Sequence, residues 1–336
     1  MLLHKKIIKN RSQKTNKSDV LVSMIEFESL HELVETLERE CVHWDKHEDA
    51  TKKHYQNLYN YLLLDKKPDK WTSKISYKDL RHNLEYGLIS DYYNRMYQKA
   101  KKELVADNPQ CFHGVGINYA KRKRRISDVG DEIDIDRVLS GVPEHWSMMH
   151  RGAKRQKVRL AVSIGANSRV QSIESVSIPA TALATVVAQE LEKRGHATEI
   201  YYIQPSICVY NFPFDSKFRN FLPGGSVRKV KVKSAEERFD ENRIMSLAHS
   251  GLFRMIMFMA KAYQGVLLNK ELPKMNLPEV RLDWGLGVSH PNMKMRNHYQ
   301  QDFPGYDPLK FVGIDYLVGN TEDPSKVISN ILDKHK

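Results

Sequence analysis

The segment Lys157-Val-Arg-Leu-Ala-Val-Ser-Ile-Gly-Ala-Asn-Ser168 decides the fold class. Its first half carries apolar residues at the spacing of a β-strand, and its second half is a turn of small residues. A long apolar pattern with helical spacing follows over about residues 178–194 and ends at Gly195. A second strand pattern then covers Ala197–Ile203. Strands that alternate with helices predict an α/β sheet with helices on both faces.

Outward from this segment, composition divides the chain into four regions. Residues 1–22 are basic and rich in polar residues, so we expect a disordered tail. Residues 23–110 repeat apolar residues at helical spacing, with a capping-box pair at Ser29 and Glu32, and predict a helical region. Residues 111–155 form a connector with basic and acidic runs, and residues 156–336 form the α/β domain.

The α/β region contains further predicted elements. Val227–Val232 reads as a strand with one basic face, and Asp240 begins a helix that runs to about Tyr263. Phe311–Val318 is strand-like. Asp323 then opens a final helix, because the proline that follows it suits the first helical position.

The composition excludes a membrane-spanning protein and a disulfide-stabilised one. The chain has 336 residues, of which 41% are hydrophobic. Its longest apolar runs are far shorter than the roughly 20 residues that a membrane-spanning helix needs. Cys41, Cys111 and Cys208 are too few for a disulfide framework and suit a reducing compartment. No apolar signal region is recognisable, so we expect the cytoplasm of a bacterial cell.

Basic residues exceed acidic ones by 12, and many of them are clustered. An excess of this size favours a polyanionic partner. Each cation that neutralises a phosphate releases counterions, so binding through such clusters is strong and salt-sensitive. The candidate phosphate-binding residues are Lys121, Arg122, Lys123, Arg124 and Arg125, then Arg151, Lys154, Arg155, Lys157 and Arg159, and finally Arg228, Lys229, Lys231 and Lys233.

Tyrosines are frequent in the helical region, at positions that include Tyr55, Tyr59, Tyr92, Tyr93 and Tyr97. Exposed aromatic rings beside cations can stack on the bases of a single strand. At helical spacing, however, packing in the helical core is the favoured interpretation.

The turn after the first α/β strand is a candidate ligand site, because ligands of open sheets bind at the carboxyl ends of the strands. Strand, turn and long helix together resemble the opening of a von Willebrand factor A-type domain, whose metal site begins with an Asp-x-Ser-x-Ser signature on this turn. The matching positions are Ser163, Gly165 and Asn167, followed by Ser168. The leading carboxylate and one hydroxyl are missing. The resemblance therefore implies a three-layer, Rossmann-like domain with a degenerate metal site.

A second resemblance covers most of the chain. Met24–Val34 resembles the opening of an uncharacterised family that phages and plasmids carry. Trp71–Gly87, Asp134–Glu144 and Arg228–Phe258 resemble its later landmarks. This resemblance implies a mobile-element protein and supplies no reaction. A basic protein of this size is also similar to the early proteins of podoviruses related to coliphage N4 that bind single-stranded DNA and activate transcription.

Two clusters offer metal chemistry. Cys41 with His43, and Cys111 with His113, supply ligand types that hold zinc, although their spacing matches no recognised zinc pattern. The acidic stretch Asp131–Asp136 can bind Mg²⁺ for phosphoryl chemistry. Because it follows the Lys121–Arg125 run, mutual neutralisation is the simpler interpretation.

These observations favour a non-enzymatic, nucleic-acid-binding accessory protein of a bacteriophage that acts in transcription or replication. Single-stranded DNA is the favoured ligand, a phage or host polymerase or replication protein is a candidate partner, and no cofactor or metal is expected. One alternative is a protein–protein interaction module that uses the Ser163–Ser168 turn. A weaker alternative is a metal-dependent nuclease that uses Asp131–Asp136.

Overall fold

The computed structural model describes residues 2–8, 20–42, 75–88, 90–112, 123–127, 132–133, 135–141, 146–150, 156–163, 170–208, 210–211, 224–271, 274, 281–282, 312–319 and 323–335. The helices are α1 (Leu30–Val42), α2 (Tyr77–Tyr86), α3 (Asp91–Asp107), α4 (Pro109–Phe112), α5 (Ile135–Leu139), α6 (Val170–Lys193), α7 (Glu241–Met245), α8 (Met257–Glu271) and α9 (Pro324–Asp333). The strands are β1 (Leu2–Ile8), β2 (Val20–Phe27), β3 (Lys123–Ser127), β4 (Glu132–Ile133), β5 (Trp146–His150), β6 (Lys157–Ser163), β7 (Ala197–Cys208), β8 (Tyr210–Asn211), β9 (Gly224–Lys233), β10 (Arg281–Leu282) and β11 (Tyr316–Gly319). In this part of the chain, no helix has the length and apolar character needed to cross a bilayer.

Six strands form the main sheet, in the order β1-β2-β9-β7-β6-β11. Strand β6 lies parallel to β7 on one side and to β11 on the other. Strand β9 runs antiparallel to β7 and parallel to β2. The mixed α/β class predicted from the segment that begins at Lys157 is therefore confirmed, because its strand, helix and second strand are β6, α6 and β7.

The N-terminal strands change the predicted domain organisation. Strand β1 pairs antiparallel with β2, from Leu2 opposite Glu26 to Ile8 opposite Val20. The expectation of a disordered tail over residues 1–22 is therefore wrong for Leu2–Ile8. Residue 23, where the helical region was expected to begin, lies inside β2. Strands from both sides of the boundary expected near residue 150 belong to the same sheet. Lysines interrupt the apolar pattern of β1, which hides its strand signal. They suit an edge strand, because charge there discourages pairing with another strand.

One face of the main sheet carries the larger apolar core. Ile25, Leu160 and Tyr202 from three strands lie in one cluster with buried residues of α1, α2, α6, α8 and α9. Helices α6 and α8 contribute many of the residues of this layer, and Leu183 and Leu191 of α6 are almost completely buried. Burying each such leucine contributes about 1.5–3 kcal/mol. The packing on this face therefore stabilises the position of β6.

The opposite face carries a smaller apolar cluster, and charged side chains lie beside it. Met24, Tyr201 and Val227 pack there with Ile314. Helices α1, α2, α6, α8 and α9 contribute to the larger core, and α3 packs on α6. These helices lie on the face of the larger core, whereas the resemblance implies a helical layer on each face of the sheet.

The N-terminal tyrosines divide between core and surface. Tyr93 and Tyr97 of α3 are buried against α6 and near Ala248, and the Tyr93 ring stacks on His249 with 4.6 Å between centroids. Tyr92 is half exposed. Core packing, the favoured interpretation, is confirmed for Tyr93 and Tyr97, whereas Tyr55 and Tyr59 lie outside the described residues.

The helix predicted from Asp240 to Tyr263 is interrupted. Helix α7 begins after Asp240, whose carboxylate accepts hydrogen bonds from the backbone of Asn242 and Arg243. A short 3₁₀ turn then ends at His249, whose backbone is extended and whose Nδ1 accepts a hydrogen bond from the Gly251 N–H at 3.0 Å. A π-helical turn, Leu252–Ile256, leads into α8. A side chain that replaces a helical backbone partner in this way breaks a helix that its apolar pattern would continue.

The described residues also form two small sheets. Strand β5 pairs antiparallel with both β3 and β4, so the order is β3-β5-β4. Strands β8 and β10 form a two-residue antiparallel pair. Among the described residues, the run Lys121–Arg125 thus contributes Lys123, Arg124 and Arg125 to a strand rather than to a solvated loop.

Candidate nucleic-acid interface

The first basic cluster lies on an ordered strand. Lys123, Arg124 and Arg125 open β3, and Lys121 and Arg122 lie outside the described residues. The register places Lys123 opposite His150, and Arg125 opposite Met148 of β5. Because strand residues alternate between the two faces of a sheet, Lys123 and Arg125 belong to one face and Arg124 to the other.

The second basic cluster follows β5 in the sequence. His150 is the last residue of β5 and pairs with Lys123, the first residue of β3. Arg151 is the next residue in the sequence and lies outside the described residues, as do Lys154 and Arg155. The pairing therefore connects the first cluster with the strand that precedes the second cluster in the sequence.

Lys157 and Arg159 of β6 are exposed, but both contact the same buried carboxylate. Lys157 Nζ lies 2.9 Å from Glu199 Oε1, and Arg159 Nε lies 3.4 Å from Glu199 Oε2. Burial alone would raise the pKa of Glu199, but hydrogen bonds from Lys157 and Tyr201 outweigh it and hold the pKa below its usual value. Much of the positive charge of these two residues is thus matched within the protein.

The third basic cluster, on β9, is the main correction to the predicted site. Arg228 is completely buried, and its Nε donates to Gln204 Oε1 at 3.2 Å. Lys229 is almost completely buried, with Nζ 2.7 Å from Glu26 Oε1 and 4.4 Å from the centroid of the Tyr201 ring. The expectation that these side chains form an open phosphate-binding face is wrong for both residues.

The remaining β9 cations are also paired with acidic side chains. Lys233 is 3% exposed, and its Nζ lies 2.7 Å from Glu192 Oε1. Lys231 is partly exposed and forms an ion pair with Glu28. Charge alternation along β9 predicted a basic strand correctly, but it could not show that β2 and the end of α6 bring glutamates against it.

The predicted ligand turn begins at a buried hydroxyl. Ser163 ends β6, is completely buried, and its Oγ has no hydrogen-bond partner in the part of the chain that the structure describes. It pairs with Gly319 of β11, where an added Cβ would lie 2.8 Å from the Ser163 carbonyl oxygen. Gly165, Asn167 and Ser168 lie outside the described residues. The structure thus places the start of the turn at the carboxyl ends of parallel strands.

The predicted metal ligands are mostly separated or undescribed. Cys111 Sγ lies 3.7 Å from Ser329 Oγ of α9, and Cys41 lies on α1. His43 and His113 lie outside the described residues, as do parts of the acidic stretch Asp131–Asp136. Within the described ranges, no group of three or more histidine, cysteine, aspartate or glutamate residues could hold a metal ion.

Sequence reasoning missed a cleft of about 320 Å³ between α1, α2 and the start of α7. Both of its arginines are held by glutamates. Arg81 Nε lies 2.8 Å from Glu38 Oε1, and Arg243 Nη1 lies 3.5 Å from Glu237 Oε1. The lining includes Leu30, His31, Val34, Arg81, Leu84, Gly87, Asp240 and Arg243. Residues of Met24–Val34, Trp71–Gly87 and Arg228–Phe258 therefore meet at this cleft.

Sequence reasoning also missed Trp146. This residue begins β5, the central strand of the small sheet, and the register places it opposite both Ser127 of β3 and Ile133 of β4. The only local signal was a five-residue run, Trp146–His150, next to a basic cluster. Such a short run has too few residues for its periodicity to identify a strand.

Comparison with known proteins gives a family and no activity. A family model described as a domain of unknown function, DUF7192, matches residues 11–331. No curated protein and no solved structure matches the chain. Because the family model spans all of the main-sheet strands except part of the N-terminal hairpin, the chain belongs to the DUF7192 family.

Proposed function

We propose that this protein is a non-enzymatic nucleic-acid-binding accessory protein of a bacteriophage or a related mobile element. It binds the phosphate backbone through the small sheet β3-β5-β4 and the basic residues at its end. The lysines of β9 are excluded from this site because they neutralise glutamates of the fold, and Arg228 is excluded because it is completely buried.

One observation carries the proposal. Lys123 of the run Lys121–Arg125 pairs with His150, the residue that directly precedes the second cation run, Arg151–Arg155, in the sequence. Together these runs contain eight lysines and arginines and no acidic residue. A strand that begins with three consecutive cations is a suitable element for binding a polyanion.

Salt dependence gives the proposal a magnitude. Each phosphate of a single strand that is neutralised contributes about −0.7 to the slope of log K against log salt concentration. If three cations of β3 each bind one phosphate, their removal reduces the steepness of that slope by about 2.

The test is fluorescence anisotropy with a labelled single strand of about 20 nucleotides, longer than one typical site, titrated between about 50 and 200 mM salt. The variant is Lys123→Gln with Arg124→Gln and Arg125→Gln. The matched control removes the same charge from exposed positions of α3, with Arg95→Gln, Lys99→Gln and Lys102→Gln. We expect weaker binding and a flatter slope for the β3 variant alone. Equal effects of the two variants would show that only overall charge matters and would reject the site.

One observation favours a second function, which is contact with a partner protein at the turn that begins at Ser163. Among the residues that the structure describes, none forms a hydrogen bond with the buried Ser163 Oγ. A buried hydroxyl that lacks a partner costs about 1–3 kcal/mol, and a group that hydrogen-bonds to it on binding would gain that amount. Co-purification of a partner that survives nuclease and high salt, and that Ser163→Ala weakens, would support this function. If nuclease abolishes the co-purification, nucleic acid mediates the interaction and the second function is rejected.

A further inference from the structure

We propose that the ligand of the β3-β5-β4 sheet is single-stranded, and that Trp146 provides the surface on which one of its bases stacks. This inference rests on the proposed function, since it concerns the same sheet. It concerns the backbone register of the sheet and the residue types that this register brings together.

The register assigns residues to the two faces of the sheet. Trp146, Met148 and His150 alternate along β5, so they belong to one face. Residues directly opposite each other on neighbouring strands share a face, which adds Lys123, Arg125 and Ser127 of β3 and Ile133 of β4. The other face has Arg124, Ile126, Glu132, Ser147 and Met149.

The two faces differ in charge and in aromatic content. The face of Trp146 combines an aromatic residue with Lys123, Arg125 and a histidine, and none of its described positions is acidic. The opposite face has one cation, Arg124, and one carboxylate, Glu132. Most of the positive charge and the aromatic residue therefore belong to one face, with Lys123 at the opposite end of the pairing from Trp146.

This combination distinguishes a single strand from a duplex. A duplex keeps its bases stacked on each other, so only its backbone is available to a flat surface. A single strand exposes the flat faces of its bases, which stack on aromatic side chains while cations bind the phosphates. Lys123 and Trp146 lie at opposite ends of the β3–β5 pairing, four residues apart in register. At about 3.4 Å per residue, this separation is about 14 Å, which is within the reach of a few nucleotides.

The experiment compares Trp146→Ala, Trp146→Phe and Met149→Ala in the full-length chain. Met149 lies on the same strand but belongs to the opposite face, so it controls for damage to β5. Binding is measured by anisotropy with single-stranded DNA, single-stranded RNA of the same sequence, and duplex DNA. We expect Trp146→Ala to weaken single-strand binding roughly fivefold to 150-fold, with duplex binding unchanged. Trp146→Phe should retain most of the affinity, and Met149→Ala should match the unmodified protein.

A second readout keeps the test decisive if Trp146→Ala fails to fold. Quenching of tryptophan emission by an unlabelled single strand should be larger in the unmodified protein than in Trp146→Phe, because the difference isolates Trp146 among the four tryptophans. Equal quenching, or unchanged single-strand affinity in a folded Trp146→Ala, would overturn the stacking inference. If the triple β3 variant still loses binding in that case, the proposed function survives. If neither variant changes binding, the proposed function fails as well.

Discussion

Replacement of Lys233 by methionine tests whether the cations of β9 stabilise the fold or bind a ligand. Lys233 is 3% exposed, and its Nζ contacts Glu192 Oε1 at 2.7 Å. The same ammonium donates to the carbonyl oxygens of Thr198 at 3.0 Å and of Ser234 at 3.1 Å. Methionine keeps most of the length and apolar volume of the side chain but removes the charge and all three contacts.

The expected cost follows from the environment of the partner that remains. Removing one member of a fully buried ion pair costs about 3–5 kcal/mol, because the other charge is left without compensation. Glu192 is 27% exposed and keeps a hydrogen bond from Thr198 Oγ1 at 2.6 Å. Water and this hydroxyl compensate part of the loss, so we expect Lys233→Met to lower the free energy of unfolding by about 2–3 kcal/mol.

Lys231→Met is the matched control on the same strand. Lys231 pairs with Glu28, whose side chain is 62% exposed. An ion pair with one such solvated partner contributes about 0–1 kcal/mol. Urea unfolding of the three proteins, followed by circular dichroism, should shift the midpoint to lower urea for Lys233→Met and much less for Lys231→Met, with a similar slope in each case.

The same two variants, tested for nucleic-acid binding at a temperature where both are folded, complete the experiment. We expect both to bind a single strand as the unmodified protein does, apart from the small effect of one lost charge. The burial argument would be refuted if Lys233→Met is as stable as Lys231→Met but binds nucleic acid much more weakly. That result would show that β9 belongs to the nucleic-acid interface.

Two further predictions concern the carboxyl ends of the strands and the C-terminus. Gly319→Ala should destabilise the protein by about 1–3 kcal/mol, because its Cβ would lie 2.8 Å from the Ser163 carbonyl oxygen and would push β11 away from β6. Thermal unfolding measures this effect, and an unchanged midpoint would contradict the close approach. Burial and the nearby His196 lower the pKa of His335. The unfolded chain therefore takes up a proton more readily than the folded one, and stability should decrease as the pH falls below about 6.5. His335→Gln should make stability less dependent on pH in this range, and an unchanged pH profile would show that other groups cause the effect.

Local capping signals in the sequence predicted the starts of α1 and α9 correctly. The Ser29 and Glu32 pair does begin α1, since the Glu32 N–H donates to Ser29 Oγ at 2.9 Å. Asp323 caps α9 by accepting from the Lys326 N–H at 3.0 Å, with a proline at the start of the helix. These predictions succeed because a cap involves residues within about four positions of each other.

The candidate site was predictable in its residue types but not in its arrangement. The run Lys121–Arg125 was identified from the sequence, yet its pairing with the strand before Arg151 depends on β5, for which the sequence offered only a weak signal. For Arg228, the prediction of an exposed cation was wrong. Its side chain is buried, and Gln204 and Gln264 provide its hydrogen-bond acceptors.

The sequence by itself determined the fold class, the β6–α6–β7 unit and the excess of positive charge, because periodicity and charge are properties of neighbouring residues. Only the tertiary structure decided that residues 2–8 join the main sheet and that the β9 lysines neutralise Glu26, Glu28 and Glu192. Strand β2 meets β9 across about 200 residues of chain. Pairing at such a separation is set by the burial of both faces of the sheet, and the pattern within either strand does not specify its partner.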